Sequence, residues 1–316
     1  MPVINRGDDY FAVVTYTGNG TSQTISGLRF QPDFVWIKGR SGATDHALYD
    51  AQRGVQNRLE SNTTDAAVSS DNGVTAFNAD GFSIGSLAQV NTNGATYVAW
   101  CWKEGPTQGF DIVLDTTPSS FTNRAVSHSL GVSPSMIIAF LRNAAGDTHL
   151  VWHRSLATTE YLQLQTTAAK ATNSAVYNGV SSTTFTLGSN TAWGAGNYVF
   201  YLFAAVAGFS RIGSYTGNGS TDGPFVFCGF RPRWIMIKNI QDSTTSWSIW
   251  DTSRSPFNLG DQRLEANSSA AESSLAQFDI LSNGFKLRSS NSNNASGQTI
   301  IFAAFADNPF KNALAR

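Results

Sequence analysis

The strongest constraint on the fold is an internal repeat, because five sequence markers recur in the same order along the 316 residues. The opening marker Tyr16-Thr-Gly-Asn-Gly20 returns as Tyr215-Thr-Gly-Asn-Gly219, 199 residues later. A proline followed by an apolar run occurs at Pro32, Pro134 and Pro232, with spacings of 102 and 98. The other three markers are Arg58-Leu-Glu-Ser-Asn62 with Arg263-Leu-Glu-Ala-Asn267 and the weaker Tyr161-Leu-Gln-Leu-Gln165; Gly81-Phe-Ser-Ile84 with Thr184-Phe-Thr-Leu187 and Gly284-Phe-Lys-Leu287; and the closing aromatic runs that begin at Tyr97, Tyr198 and Ile300.

A period near 100 residues is the size of a small domain, whereas the units of solenoid proteins have about 20–45 residues. We therefore predict three tandem domains of common ancestry, at residues 1–105, 106–208 and 209–316. The first and third copies resemble each other more than either resembles the second.

The pattern within one copy favours β-strands. In the run Phe34-Val-Trp-Ile-Lys38, Phe34 and Trp36 would face one side and Val35 and Ile37 the other, so both faces of this strand are apolar. Such a strand is typical of a buried position in a sheet. Turn sequences such as Asp71-Asn-Gly73 and Ser282-Asn-Gly284 interrupt the runs. The sequence predicts an all-β fold of three antiparallel β-sandwiches, jelly-roll or lectin-like, with about seven to nine strands each.

Composition and charge exclude several classes of protein. The formal net charge is −1, which lacks the basic excess that a nucleic-acid binder uses to displace counterions. There is no apolar run of about 18 residues, so no membrane insertion is expected. The first residues lack a charged segment followed by an apolar one, so no secretory signal is predicted.

Several motifs resemble a known family. They are the Tyr-Thr-Gly-Asn-Gly opening, the strand at 27–38, the segment at 58–66, the turn at 80–85, the strand at 95–102 and the chain end at 306–316. Together they resemble a domain common in structural proteins of tailed bacteriophages, including tail-fibre and lectin-like virion proteins. The resemblance implies a virion location, assembly in the cytoplasm of a bacterial host, and contacts with other virion proteins. It implies no catalytic residue.

Candidate catalytic and metal-binding residues are few. His149 and His153 have a zinc-like spacing only on a helix, and four residues of strand span roughly 13 Å, too far for one ion. The repeated pairs Arg58/Glu60 and Arg263/Glu265 are interpreted as ion pairs on one face of a strand. We expect no enzyme, no metal and no cofactor.

Two sets of loops vary most between copies, and they are predicted to carry recognition because variable loops on a rigid scaffold commonly bind partners. One set comprises 86–93, 189–196 and 289–296; the other comprises 40–45, 142–147 and 240–246. Trp193 lies in a Gly-rich loop and is either a contact residue for a sugar or partner, or a lid on its own sandwich. The candidate binding residues are Trp193, Asn190, Asn91, Asn93, Asn291, Asn293, Arg40, Arg142 and Asp242.

The sequence leaves three functions open. The first is a non-enzymatic tail-fibre or receptor-binding protein that contacts a host surface glycan or protein, with homo-oligomerisation, preferably as a trimer, adding avidity. The second is a capsid decoration, head-fibre or neck protein, which the short arm at residues 1–10 favours. The third is a polysaccharide depolymerase, which requires a pair of carboxylates about 5–9.5 Å apart.

Overall fold

A computed structural model describes residues 4–306, so most of the chain-end motif at 306–316 and the first three residues of the N-terminal arm lie outside the described residues. The described chain is all-β, with several antiparallel sheets. Its helices are confined to α1 (Ala88–Asn91) and two 3-10 turns, Gly7–Asp9 and Ser292–Asn294. Within residues 4–306, no helix has the length and apolar character needed to cross a membrane.

The strands follow the sequence repeat. The first repeat contains β1 (Phe11–Thr17), β2 (Gln23–Ser26), β3 (Phe34–Gly39), β4 (Ala47–Asp50), β5 (Asn57–Arg58), β6 (Val68–Ser69), β7 (Val74–Asn78), β8 (Gly81–Ile84) and β9 (Thr96–Trp102). The second contains β10 (Phe110–Thr117), β11 (Thr122–Ser127), β12 (Met136–Leu141), β13 (Leu150–His153), β14 (Glu160–Gln163), β15 (Ala171–Thr172), β16 (Tyr177–Val180), β17 (Thr184–Ser189) and β18 (Gly196–Phe203). The third contains β19 (Ser210–Thr216), β20 (Phe225–Phe227), β21 (Pro232–Asn239), β22 (Ser248–Asp251), β23 (Gly260–Glu265), β24 (Ser273–Leu281), β25 (Gly284–Leu287) and β26 (Thr299–Ala306).

Corresponding strands are neighbours in the same order in each repeat, although they are divided into sheets differently. The first repeat has a sheet β1-β9-β3-β4, a sheet β2-β8-β7 and the pair β5-β6. The second has β10-β18-β12-β13-β14-β15 and β11-β17-β16. In the third, β24 runs without a break where the first repeat has β6 and β7, and it joins both sheets in the order β19-β26-β21-β22-β23-β24-β25-β20.

The central strands are buried on both faces, as the sequence predicts. All six residues of β3 are buried. Phe34 and Trp36 belong to a cluster shared by all three repeats, whereas Val35 and Ile37 belong to the core between the two sheets of the first repeat. The main sheet of each repeat therefore has its own core on one face and the neighbouring repeats on the other.

Three equivalent aromatic side chains meet where the repeats converge. Trp102, Phe203 and Phe305 lie near the ends of β9, β18 and β26 and pair with the starts of β3, β12 and β21. Their ring centroids are 6.2 Å apart for Trp102 and Phe203, 5.7 Å for Trp102 and Phe305, and 6.0 Å for Phe203 and Phe305. At roughly 1.5–3 kcal/mol per buried large apolar side chain, these rings and their neighbours stabilise the contact between repeats substantially.

Equivalent hydrogen bonds close a ring around this aromatic triangle. The backbone N–H of Glu272 donates to the carbonyl of Arg40 (2.9 Å), that of Ala67 to Arg142 (2.8 Å), and that of Lys170 to Ile240 (2.8 Å). These three bonds join the third repeat to the first, the first to the second, and the second to the third. Each repeat therefore contacts both of the others through the same pair of surfaces.

Three of the four histidines lie at these contacts rather than at a metal site. His46 Nε2 lies 2.9 Å from the carbonyl oxygen of Glu265, His149 Nε2 lies 2.5 Å from that of Thr63, and His153 Nε2 lies 3.4 Å from that of Phe302. Burial lowers the pKa of His46 to about 3 and the pKa values of His149 and His153 to about 4. In His46 and His153 the other ring nitrogen accepts a hydrogen bond, from the Trp36 indole and the Ser155 backbone, so protonation there would break that bond.

Acid should therefore destabilise the protein in a way that depends on these histidines. Their folded pKa values lie below the unfolded value near 6.5, so the unfolded chain binds more protons as the pH falls from about 6.5 to 4. We expect the thermal midpoint to decrease steeply over this range, with a contribution of about 3 kcal/mol per histidine. His149→Gln should flatten the profile, whereas His128→Gln, outside the contacts between repeats, should follow wild type. Equal acid sensitivity of wild type and His149→Gln would contradict this role.

Candidate functional site

The third repeat contains a polar cleft of about 250 Å³ between the two loop sets predicted to carry recognition. Four segments build it: the loop that leads into β22, the strand β23, the strand β24, and the loop before β26. The described lining residues are Thr244, Thr245, Ser246, Ser248, Arg263, Glu265, Leu275, Gln277, Asn291, Ser292 and Asn293.

Three of the lining side chains carry a buried polar atom without a hydrogen-bond partner: Ser248 Oγ, Gln277 Nε2 and Asn293 Oδ1. These residues are at most 3% exposed. Asn293 Nδ2 donates to Gln277 Oε1 (3.0 Å), which leaves one amide N–H group and one amide oxygen of this pair unused. Buried polar groups in folded proteins are nearly always paired, so these atoms indicate a place where a ligand or ordered water completes the structure.

The charged groups of the cleft neutralise each other. Arg263 Nη2 lies 3.0 Å from Glu265 Oε1, and both side chains are about one-quarter exposed. The first repeat has the equivalent pair, with Arg58 Nε 3.3 Å from Glu60 Oε1, and the predicted ion pairs on one strand face are confirmed. The cleft therefore presents hydroxyl and amide groups around a neutral ion pair.

Hydrogen bonds hold both loops at the cleft. Asp242 accepts from the backbone N–H and hydroxyl of Thr244 and from the hydroxyl of Thr245, each at 2.7 Å, and these bonds lower the pKa of its carboxyl to about 2. In the other loop the side chain of Asn291 accepts from the backbone N–H of Asn293 (3.1 Å). The carbonyl of Asn293 in turn accepts from the hydroxyl of Tyr215 (2.7 Å). The cleft is thus built before any ligand enters.

Equivalent positions in the first repeat are closed. Register matches Ser248 with Ala47, since these residues pair with Ile237 and Ile37. Backbone hydrogen bonds match Gln277 with Gly73. The N–H of Arg288 donates to the carbonyl of Gln277, and the N–H of Gly85, at the equivalent position, donates to the carbonyl of Gly73. Tyr16 donates to the carbonyl of Val90 as Tyr215 does to that of Asn293, which matches Val90 with Asn293. Three positions that are small or apolar in the first repeat are therefore polar in the third.

The second repeat is closed by Trp193. This indole is fully buried in the core between the two sheets, packs against Tyr177, Tyr198 and Phe200, and donates its N–H to the carbonyl of Val176 (2.5 Å). Val176 corresponds to Gln277, because Gly188 donates to its carbonyl in the same way. The prediction that Trp193 is an exposed contact residue is wrong; the alternative, a lid on its own sandwich, describes its position.

The other predicted binding residues divide into three groups. Asn291 and Asn293 line the cleft, and Asp242 orders the adjoining loop. Asn93 is exposed in the first repeat, and Asn190 donates to the carbonyl of Ser119 in the second. Asn91 and Arg40 are structural, which corrects their assignment to recognition, and Arg142 contributes its backbone carbonyl to a contact between repeats.

The structural roles of these three residues follow from their contacts. Asn91 is fully buried, and its side-chain amide donates to the carbonyl of Gly85 (2.8 Å) and to that of Thr21. Arg40 donates to the carboxylate of Glu272 in the third repeat, and the carbonyl of Arg142 accepts from Ala67 in the first. These groups hold loops and repeats together instead of presenting free surface.

The repeated Tyr-Thr-Gly-Asn-Gly loops are turns held by the side-chain amides of two equivalent asparagines, Asn91 in the first repeat and Asn294 in the third. Asn294 in the third repeat donates to Asn218 Oδ1 (3.0 Å) and to the carbonyl of Ser220 (2.8 Å), in the manner of Asn91. Gly217 is required there, since a Cβ would lie 2.3 Å from the carbonyl oxygen of Ala295. The need for a tight turn at this motif therefore accounts for its recurrence in the first and third repeats.

Two further clefts differ from the polar cleft. The larger, of about 530 Å³, is lined by residues that include Pro256, Phe257, Asn258 and Ser282, and Asn258 there both donates to and accepts from the backbone of Ile280. A smaller one, of about 210 Å³, lies between 12–14 and 26–29. The cleft of the third repeat is the candidate site because three of its lining side chains, Ser248, Gln277 and Asn293, each carry a buried polar atom without a hydrogen-bond partner and meet in one place.

Comparison with known proteins gives a family without an assigned activity. A family model described as a domain of unknown function, DUF7483, matches residues 6–309. The chain belongs to this family. The DUF7483 match extends through all three repeats, so the candidate cleft and both closed counterparts lie inside it. No curated protein matches the chain.

Sequence reasoning missed Ser248, Gln277 and the use of Arg263 and Glu265 as lining groups. The signal for the first two was present. The buried positions occupied by Ala47 and Gly73 in the first repeat, and by Leu150 and Val176 in the second, carry polar residues only in the third repeat. Comparing the three copies position by position would have found them.

Trp193→Ala should be strongly destabilising if this residue fills the second repeat. We expect a loss of about 3–5 kcal/mol in the free energy of unfolding, measured with denaturant, since a buried tryptophan would leave a cavity. Trp193→Phe, which keeps most of the packing, should cost less. Wild-type stability for Trp193→Ala would instead place the side chain at the surface.

Proposed function

We propose that this protein is a non-enzymatic virion protein of a tailed bacteriophage, a tail-fibre or receptor-binding component that contacts a host surface glycan. The observation that carries the glycan part is the polar cleft of the third repeat. Its amide and hydroxyl groups suit the hydroxyls of a sugar, and Gln277 and Asn293 leave a donor and an acceptor unused. The virion part is supported by the motifs of the first and third repeats.

The proposal includes a fold of three tandem β-sandwich domains, jelly-roll or lectin-like, with boundaries near residues 105 and 208. The repeated strand order supports it, as do the chain segments without strands between Trp102 and Phe110 and between Phe203 and Ser210. Since the three repeats already surround one aromatic triangle, a single chain has a trimer-like arrangement. A homotrimer of chains stays a prediction, and it would supply three clefts for avid binding.

Binding is favoured over hydrolysis by the lining of the cleft. Among its described lining residues Glu265 is the only carboxylate, and it is paired with Arg263. Glycoside hydrolysis generally uses two carboxyl groups on either side of the scissile bond. A depolymerase would therefore need a second acid from elsewhere.

The test is competition for phage adsorption. Host cells incubated with excess purified protein should adsorb the phage poorly, because their receptors are occupied. Gln277→Leu should weaken this protection, whereas Gln262→Leu, on the neighbouring strand and outside the cleft, should not. Undiminished adsorption at a saturating dose of wild-type protein would contradict a receptor-binding role.

A capsid decoration, head-fibre or neck protein is the second candidate, and exposed apolar side chains favour it. Phe227 is 56% exposed and pairs with Gly284, while Phe257 is 83% exposed and lines the larger cleft beside Ser282. Exposed aromatic side chains close together are typical of contacts with other proteins. Labelled antibody on intact particles should decorate the tail under the first proposal and the head or neck under the second.

A further inference from the structure

We infer that the cleft of the third repeat binds the acetamido group of an uncharged N-acetylated sugar, with the first repeat providing an internal mimic of the bound amide; this inference rests on the proposed glycan-binding function. The mimic is the side chain of Gln89. The argument depends on which groups Gln89 contacts and on what stands at the same place in the third repeat.

In the first repeat the carboxamide of Gln89 fills the position of the cleft. Its Nε2 donates to Glu60 Oε1 (3.1 Å) and to the carbonyl oxygen of His46 (3.1 Å). Asp71 closes the other side, where it accepts from the hydroxyl of Tyr49 (2.8 Å) and lies 3.4 Å from Arg58. An amide is therefore the group that this framework of acceptors already holds.

In the third repeat the carboxylate acceptor is kept, the carbonyl of Trp247 accepts from the backbone N–H of Ala266 (2.8 Å), and the amide is missing. Glu265 and Trp247 stand in the places of Glu60 and His46, and Ser292 stands in the place of Gln89, one residue before Asn293. The serine side chain is too short to reach Glu265 as Gln89 reaches Glu60. Within the described chain, Arg263 is the one side chain paired with the carboxylate of Glu265, so acceptor capacity remains for a ligand N–H.

The third repeat also adds groups that the first lacks. Gln277 Nε2 is an unused donor suited to an amide carbonyl, and Asn293 Oδ1 is an unused acceptor suited to an amide N–H or a sugar hydroxyl. Gly73 and Val90 at these positions in the first repeat offer neither. An acetamido group has one carbonyl, which would accept from Gln277 Nε2, and one N–H, which would donate to one of the two acceptors, Glu265 or Asn293 Oδ1.

Size and charge narrow the ligand further. A cleft of about 250 Å³ has room for one substituted sugar ring. Arg263 is already neutralised by Glu265, so no free cation is present among the lining residues to attract an acidic sugar. The ligand class is therefore a single neutral N-acetylhexosamine residue, at a chain end or within a glycan.

The experiment compares two sugars on the intact chain by saturation-transfer NMR and titration calorimetry. The methyl glycoside of N-acetylglucosamine should bind on the order of tenfold or more tightly than methyl glucoside, because two hydrogen bonds to the amide are lost in the latter. Ser292→Gln, which installs the side chain of the first repeat, should abolish this binding. Gln89→Ser, the reciprocal change in the first repeat, should leave binding at one site per chain unchanged.

The outcomes separate this inference from the function on which it rests. Equal binding of both sugars, or binding that persists in Ser292→Gln, would overturn the amide site while leaving glycan binding intact. Binding of neither sugar by wild-type protein that still blocks phage adsorption would overturn the inference alone. Because the comparison of sugars needs no variant, a folding defect in Ser292→Gln would not obscure the result.

Discussion

The contact among Trp102, Phe203 and Phe305 is the constraint on which the rest of the structure depends. Their ring centroids lie about 6 Å from one another, and each lies at or next to the end of the central strand of its own sheet. Because the chain brings these three ends together, the outer face of every main sheet is covered by the other two repeats. A sandwich that would otherwise expose one apolar face thereby buries both, and β3 can be buried at every position.

This packing also bears on how the third repeat can carry a polar cleft at a position where the first and second carry apolar side chains. The loops near Arg40 and Arg142 are held in contacts between repeats, so variation there serves assembly. At the second loop set the same core position is filled differently: by Val90 in the first repeat, by Trp193 in the second, and by the buried polar Asn293 in the third. A scaffold stabilised by shared burial tolerates polar residues at one such position. The large common core supplies folding free energy that offsets the cost of burying them.

Much of the local structure could be predicted from the sequence. Alternation placed Phe34 and Trp36 opposite Val35 and Ile37, and the repeated Arg58 and Glu60 indicated a strand ion pair, because both signals depend only on the two-residue period of a strand. The faces that meet other repeats could not be predicted this way. Whether an apolar or charged side chain faces its own second sheet or a neighbouring repeat depends on how the repeats are arranged, and no local period encodes that. The position of Arg40 was misjudged for this reason. Trp193 was misjudged because its loop folds into the core of its own sandwich, whereas Asn291 and Asn293 line the cleft.

The most direct test of the shared core is the calorimetric unfolding of the intact chain. A single core requires the three repeats to unfold together, so the calorimetric enthalpy should equal the van't Hoff enthalpy in one transition. Two or three separable transitions, each with the enthalpy expected for about 100 residues, would show that the repeats are stable independently and would contradict the account.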